Sequence, residues 1–102
     1  MYRELIHRIM IKSFNNSVTE DVFNGIVRKG FQAGLIKVAR RKLRFLHAAH
    51  LLTDLRVPPG NRLEALKGNR TGQHSIPVND QFRICLVWTA EGPENVELTD
   101  YH

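Results

Sequence analysis

The chain's final residues, Asp100-Tyr101-His102, set an acid, a phenol and an imidazole side by side. Upstream, Lys67, Arg70 and Arg83 fall in or beside a run of short strands whose hairpins should return them toward this tail. These are the groups that metal-free cleavage of an RNA linkage needs. The 2′-hydroxyl attacks, its proton must be taken, charge on the phosphorane must be held, and the leaving 5′-oxygen must gain a proton. Arg83 suits the phosphorane, because a planar, permanently charged fork grips two phosphate oxygens. Lys67 adds a point charge, and Arg70 would position the backbone. His102 suits proton transfer, since an unperturbed imidazole titrates near neutral pH. Asp100 would orient that ring or hold the tail, and Tyr101 would stack on a base or bond a phosphate. Acid–base assistance gives roughly 10²–10⁴-fold, whereas in-line orientation is worth on the order of 7–11 kcal/mol. So small a site therefore gains most from a partner that presents RNA already aligned. Singly, each residue also fits a plainer role: a solvated strand arginine, ordinary turn cations, a frayed terminus. Only the set carries the chemistry.

The elements that must position this set follow from periodicity. Met10–Phe14 reads as a first strand, and Met10 as a second possible start, which makes residues 1–9 an N-terminal extension of a single domain at 10–102. Ser17-Val-Thr-Glu20 fits a capping box with Ser17 as N-cap. The helix it opens puts Val22, Phe23, Ile26 and Val27 on one stripe and should stop at Gly30. Gly34 then allows a turn into a second helix, from about Leu35 to His50, with Leu35, Ala39, Leu43, Leu46 and His50 on its apolar face. Lys37, Arg40, Arg41 and Arg44 recur at helical spacing on another face as a cationic stripe, open to RNA, to an acidic partner or to solvent. The two helices should pack as an antiparallel hairpin.

Pro58-Pro59-Gly60-Asn61 ends the helical part. Beyond it, Arg62–Leu66, His74–Val78, Phe82–Trp88 and Val96–Asp100 read as strands. The turns between them are Lys67–Gly72, Asn79-Asp80 and Glu91–Glu94. Alternation points Arg83 away from Phe82 and Ile84, so one sheet face covers the helices and the other offers Arg83. Pro77 suggests an edge position or a nearby bulge. The fold class is α+β: a strand, a helical hairpin, then a mainly antiparallel twisted sheet.

With 102 residues the chain has room for one core. Fifteen basic against ten acidic residues give a net charge of +5, which favours a polyanionic partner. Cys85 is the only cysteine, so no intrachain disulfide can form, and a reducing, cytoplasmic setting is the simpler expectation. Arg3, Glu4, His7 and Arg8 interrupt any signal-peptide core, and the apolar runs are too short for a bilayer. His47, His50, His74 and Cys85 form no metal-ligand pattern, and neither metal nor cofactor is expected.

That element order, together with Leu66-Lys67-Gly68-Asn69-Arg70, Ser75-Ile76, Arg83-Ile84 and the closing Asp100-Tyr101-His102, resembles the HigB-type toxins, including the GraT branch, of the RelE/ParE superfamily (host-inhibition killer proteins). The resemblance runs from Met10 to the last residue. It implies a RelE/ParE-like fold and a ribosome-dependent endoribonuclease, or mRNA interferase, cutting mRNA in the ribosomal A site. It also implies a cognate helix-turn-helix antitoxin (HigA/GraA-like), through which the pair would reach operator DNA, and no membrane partner. Lys67, Arg83, Asp100, Tyr101 and His102 match positions that the family uses for RNA contact or cleavage, and Arg70 matches a charged position in the same turn. Glu64 stands where some members carry a histidine, and Asn79 where some carry an arginine; both departures imply weaker or differently selective cleavage. Two other readings remain open at this point, a ParE-like inhibitor of DNA gyrase and a non-catalytic RNA-binding module.

Overall fold

The computed structural model describes residues 10–56 and 61–100. The extension at residues 1–9, Pro58-Pro59-Gly60, Tyr101 and His102 lie outside them. Two helices, α1 (Ser17–Phe23) and α2 (Ala33–Ala48), precede a four-stranded sheet of β1 (Glu64–Ala65), β2 (His74–Pro77), β3 (Phe82–Thr89) and β4 (Gly92–Asp100). The strands pair in chain order and all antiparallel, giving an α+β meander.

The α1 start differs from the capping-box expectation by one residue. Asn16, not Ser17, is the N-cap, and its side-chain oxygen accepts from Thr19 N–H at 2.9 Å. A carboxamide oxygen serves this position as well as a hydroxyl does, so the sequence alone does not separate the two. The helix also stops at Phe23, well before Gly30, with Asn24 as C-cap. Ile26 and Val27, expected on its buried stripe, are instead 51% and 80% exposed in the loop that follows.

α2 is rich in Ala, Leu, Arg and Lys, all strong helix formers. It begins at Ala33, so Gly34 lies inside its first turn and the true connection is the loop at residues 24–32. Ala39, Leu43 and Leu46 are fully buried along one stripe, while His50 falls past the helix end and is exposed. The chain then tightens into a 3-10 turn (Leu52–Arg56), where the Asp54 carboxylate accepts from the backbone N–H groups of His50 and Leu51 at 2.9 and 3.0 Å. Those two bonds hold the Asp54 pKa below the usual carboxylate range.

The expected first strand reduces to a single parallel bridge, Phe14 to Val96. Lys12 N–H donates to Pro93 O and Asn15 N–H to Val96 O, but Asn95 between them takes φ +54 and donates to Ser13 Oγ instead. That left-handed residue marks a bulge in β4, where the pairing register shifts opposite the segment between Cys85 and Val87, and a continuous ladder cannot pass it. β4 starts earlier than expected, because the turn is Ala90-Glu91 while Gly92 and Pro93 already pair with Thr89 and Trp88. Pro93 is tolerated because β4 is an outer strand of the sheet. β1 is shorter than expected: Arg62 takes φ +39, a conformation that no extended strand accepts.

The core lies between α1, α2 and the inner sheet face. Val22, Leu43, Leu46, Leu55, Ile76, Ile84, Leu86 and Val96 are fully buried there. One polar group joins the layers: buried Thr19 Oγ1 accepts from Leu98 N–H at 2.9 Å and donates to Asn16 Oδ1 at 2.7 Å. No helix among the described residues is long and apolar enough to cross a membrane.

Candidate functional site

The outer sheet face is built by alternation. Ile76, Ile84 and Leu98 turn inward, so the register Glu64–Ser75–Cys85–Glu97 forms one row across the outer face, and Arg83 sits one step along β3 opposite Pro77 and Thr99. Arg83 Nε donates to the Oγ of fully buried Ser75 at 2.7 Å, and its terminal nitrogen lies 3.4 Å from Glu64 Oε1. The guanidinium is thus fixed from one side by a hydroxyl and from another by a carboxylate.

Arg70 is held in a parallel way. Its Nη1 donates to Gln73 Oε1 at 3.0 Å and lies 3.4 Å from Glu97 Oε1. Gly68 makes this possible: its φ of +65 opens the 3-10 turn Gly68–Arg70, which turns the basic loop back toward the sheet. The Cys85 thiol lies in the row near both guanidiniums and Glu97; burial pushes its pKa up, and the nearby arginines only partly oppose this. It is an inert packing thiol rather than a nucleophile.

Among the hollows that the described residues line, three open on this face. One of about 580 Å³ includes Glu64, Asn79, Asp80 and Arg83 in its walls. A second, of about 360 Å³, is lined by Glu64 to Lys67 and by Arg70. A third, of about 470 Å³, holds Arg70, Gln73 and Glu97. Glu64 is the wall common to the first two and Arg70 to the last two, so Arg83, Lys67 and Arg70 line adjoining space.

Asp100 stands elsewhere. It pairs with Phe82, in the row of the inward residues, and its carboxylate accepts from the Gln81 side-chain amide at 2.8 Å. Tyr101 and His102 lie outside the described residues. Lys37, Arg40, Arg41 and Arg44 line a separate hollow against the 24–32 loop, which shares no residue with the three on the sheet.

Sequence reasoning treated Glu64 and Asn79 as losses, and the geometry gives both a task. Glu64 pairs with Arg83. Asn79 Oδ1 accepts from the backbone N–H groups of Gln81 and Phe82 at 2.8 and 2.7 Å, which shapes the turn leading to Arg83. Ser75, Gln73 and Glu97 were missed as site members. Ser75 was within reach, because alternation across a β2–β3 hairpin places it on the Arg83 face. Among the described residues no three His, Cys, Asp or Glu side chains form a group that could hold a metal ion. His47 is occupied in packing: its Nδ1 accepts from Ile11 N–H at 3.2 Å and its ring lies 5.0 Å from that of Phe23.

The sequence profile of a family described as the RelE-like toxin of the type II toxin-antitoxin system HigB matches residues 12–102. The chain belongs to this HigB-like toxin family. It is similar to Toxin HigB-1 of Vibrio cholerae serotype O1, at 54% identity over 48 residues, which are 47% of this chain and 50% of that protein. It is also similar to an uncharacterized protein of Haemophilus influenzae, at 40% identity over 62 residues, 61% of this chain and 59% of the other. The aligned stretches thus span between half and three fifths of these curated relatives. A HigB-like toxin fold with fixed arginines on its open sheet face is what the remaining chemistry must be built on.

Proposed function

We propose that this HigB-like toxin is a ribosome-dependent mRNA endoribonuclease of the cytoplasm, neutralised by a cognate helix-turn-helix antitoxin. The observation that carries the reading is Arg83, held by Ser75 and Glu64 in a hollow that shares its Glu64 wall with the one lined by Lys67 and Arg70. A guanidinium fixed before substrate arrives stabilises developing phosphorane charge without reorganising, which makes this kind of contact worth about 10²–10³-fold per donor.

In this reading the 2′-oxygen forms its bond to phosphorus as the bond to the 5′-oxygen breaks, leaving a 2′,3′-cyclic phosphate and a 5′-hydroxyl. An entering phosphate competes with Glu64 for Arg83, and the displaced carboxylate takes the 2′-proton. His102 returns a proton to the 5′-oxygen. Lys67 adds charge, Arg70 positions the strand, Tyr101 stacks on a base, and Asp100 fastens the end of β4 through Gln81. The decoding site supplies the in-line geometry.

The test compares wild type, Arg83→Ala, Glu64→Gln and a chain ending at Thr99, each expressed without antitoxin, with 5′ ends mapped on translated messages. Wild type should arrest growth and create new 5′ ends only with ribosomes present. Arg83→Ala should lose about 10²–10³-fold in cleavage, and Glu64→Gln should cut more slowly while still binding RNA. Equal arrest by all four chains, or DNA-damage signalling without new 5′ ends, would remove the nuclease reading.

A further inference from the structure

A hollow of about 560 Å³ lies between the 24–32 loop and the N-terminal half of α2, apart from the sheet face. Its floor is apolar, from Val27, Phe31, Ala33 and Ile36. Its rim is cationic, from Lys37, Arg40, Arg41 and Arg44. The loop beside it is unusually bare: Ile26 and Val27 are two of only three large hydrophobic residues this exposed among the described residues. No carboxylate among the described residues pairs with any of the four rim cations, and the nearby Asp21 is already held by Arg28 at 2.7 Å. Arg40 is laid over the loop, so that a Cβ at Gly25 would meet its guanidinium carbon at 3.1 Å. Its Nε is buried there without a hydrogen-bond partner.

Two chemistries meet in this hollow, and the occupant must satisfy both. Nucleic acid would answer the rim, but ribose and phosphate offer nothing to an aliphatic floor, and bases stack on aromatic faces, of which the floor has only Phe31. A bilayer surface would need a broad convex patch rather than a recess. An amphipathic peptide segment with acidic residues beside its apolar anchors answers both: its anchors fill the recess, and its carboxylates meet a row of cations spaced at helical i, i+3, i+4 and i+7. We propose that this hollow is where an acidic amphipathic segment of the antitoxin docks, which rests on the toxin–antitoxin reading above. Docking here leaves the Arg83 face uncovered by that segment, because the two surfaces share no residue.

The test measures binding of the full-length cognate antitoxin to wild type, Val27→Glu, Arg41→Glu and Arg83→Ala by calorimetry, with circular dichroism to confirm folding. Val27 is 80% exposed, so its replacement leaves the core untouched. Val27→Glu and Arg41→Glu should each weaken antitoxin binding by about tenfold or more, while Arg83→Ala binds as wild type does. In cells, Val27→Glu should arrest growth even with antitoxin co-expressed. Full antitoxin affinity in both Val27→Glu and Arg41→Glu, with ribosome binding lost instead, would make the hollow an RNA surface and overturn the proposal. Loss of affinity in Arg83→Ala alone would move the docking site to the sheet. A wild-type chain that ignores the antitoxin altogether would overturn the parent reading as well.

Discussion

Thr19→Val isolates a buried polar contact that ties α1 to β4. The substitution keeps the branched shape and the volume, so it leaves no cavity, and Val and Thr have similar helix propensity. The Asn16 cap survives, because its oxygen still accepts from the Thr19 backbone N–H at 2.9 Å. What is lost is the acceptor for Leu98 N–H, which bonds to Thr19 Oγ1 at 2.9 Å in fully buried surroundings. A buried donor left unpaired costs about 1–3 kcal/mol. For a domain of this size each kcal/mol moves Tm by roughly 4–8 °C, so the midpoint should fall by about 4–24 °C. Urea unfolding should show a lower midpoint at unchanged slope, and hydrogen exchange should show the Leu98 amide losing protection first. Thr19→Ser is the control: it keeps the acceptor and loses one methyl, for about 1 kcal/mol. Stability of Thr19→Val within about 0.5 kcal/mol of wild type, the scatter expected of surface changes, would refute the claim that this bond joins the layers.

Ser75→Ala removes the hydroxyl under Arg83 while leaving the guanidinium charged. Cleavage of translated mRNA should drop about tenfold or more, through loss of a charge-assisted bond of roughly 1.5–3 kcal/mol, with RNA binding largely kept. Unchanged cleavage would show that Arg83 needs no anchor. Asp54 gives a pH signature. Its folded pKa is depressed, chiefly by the Leu51 N–H and then by that of His50, so its stabilisation is present above the ordinary carboxylate value and is lost as pH falls through the folded one. Acid titration followed by circular dichroism should show Asp54→Asn losing less stability than wild type across that window, and identical acid curves would count against the capping role.

Much of this was legible in residues whose neighbours along the chain decide their state. Alternation through Phe82, Ile84 and Leu86 was enough to put Arg83 on the outer face, and the Ala39–Leu43–Leu46 spacing was enough to find the buried stripe of α2. The failures share a physical cause, which is that tertiary contacts decided them. Ile26 and Val27 look like core by spacing, but a helix ending at Phe23 leaves them in a loop. Met10–Phe14 has the composition of a strand, but the bulge at Asn95 interrupts the ladder it would have joined. Glu64 reads as a missing histidine until the register places it beside Arg83. The paired carboxylates Glu64 and Glu97 could not be assigned from the chain alone, because each meets its arginine only across the folded sheet.

The brevity of β1 has an effect on what the molecule can touch. With pairing confined to Glu64 and Ala65, the far half of β2 has no strand partner on that flank among the described residues, which leave the ground around Arg83 unroofed. Such a bare flank would ordinarily invite a second chain to zip onto it. Pro77 stands where that zipper would have to start, and its ring nitrogen has no hydrogen to give. The gap admits a ligand without becoming a seam for self-association.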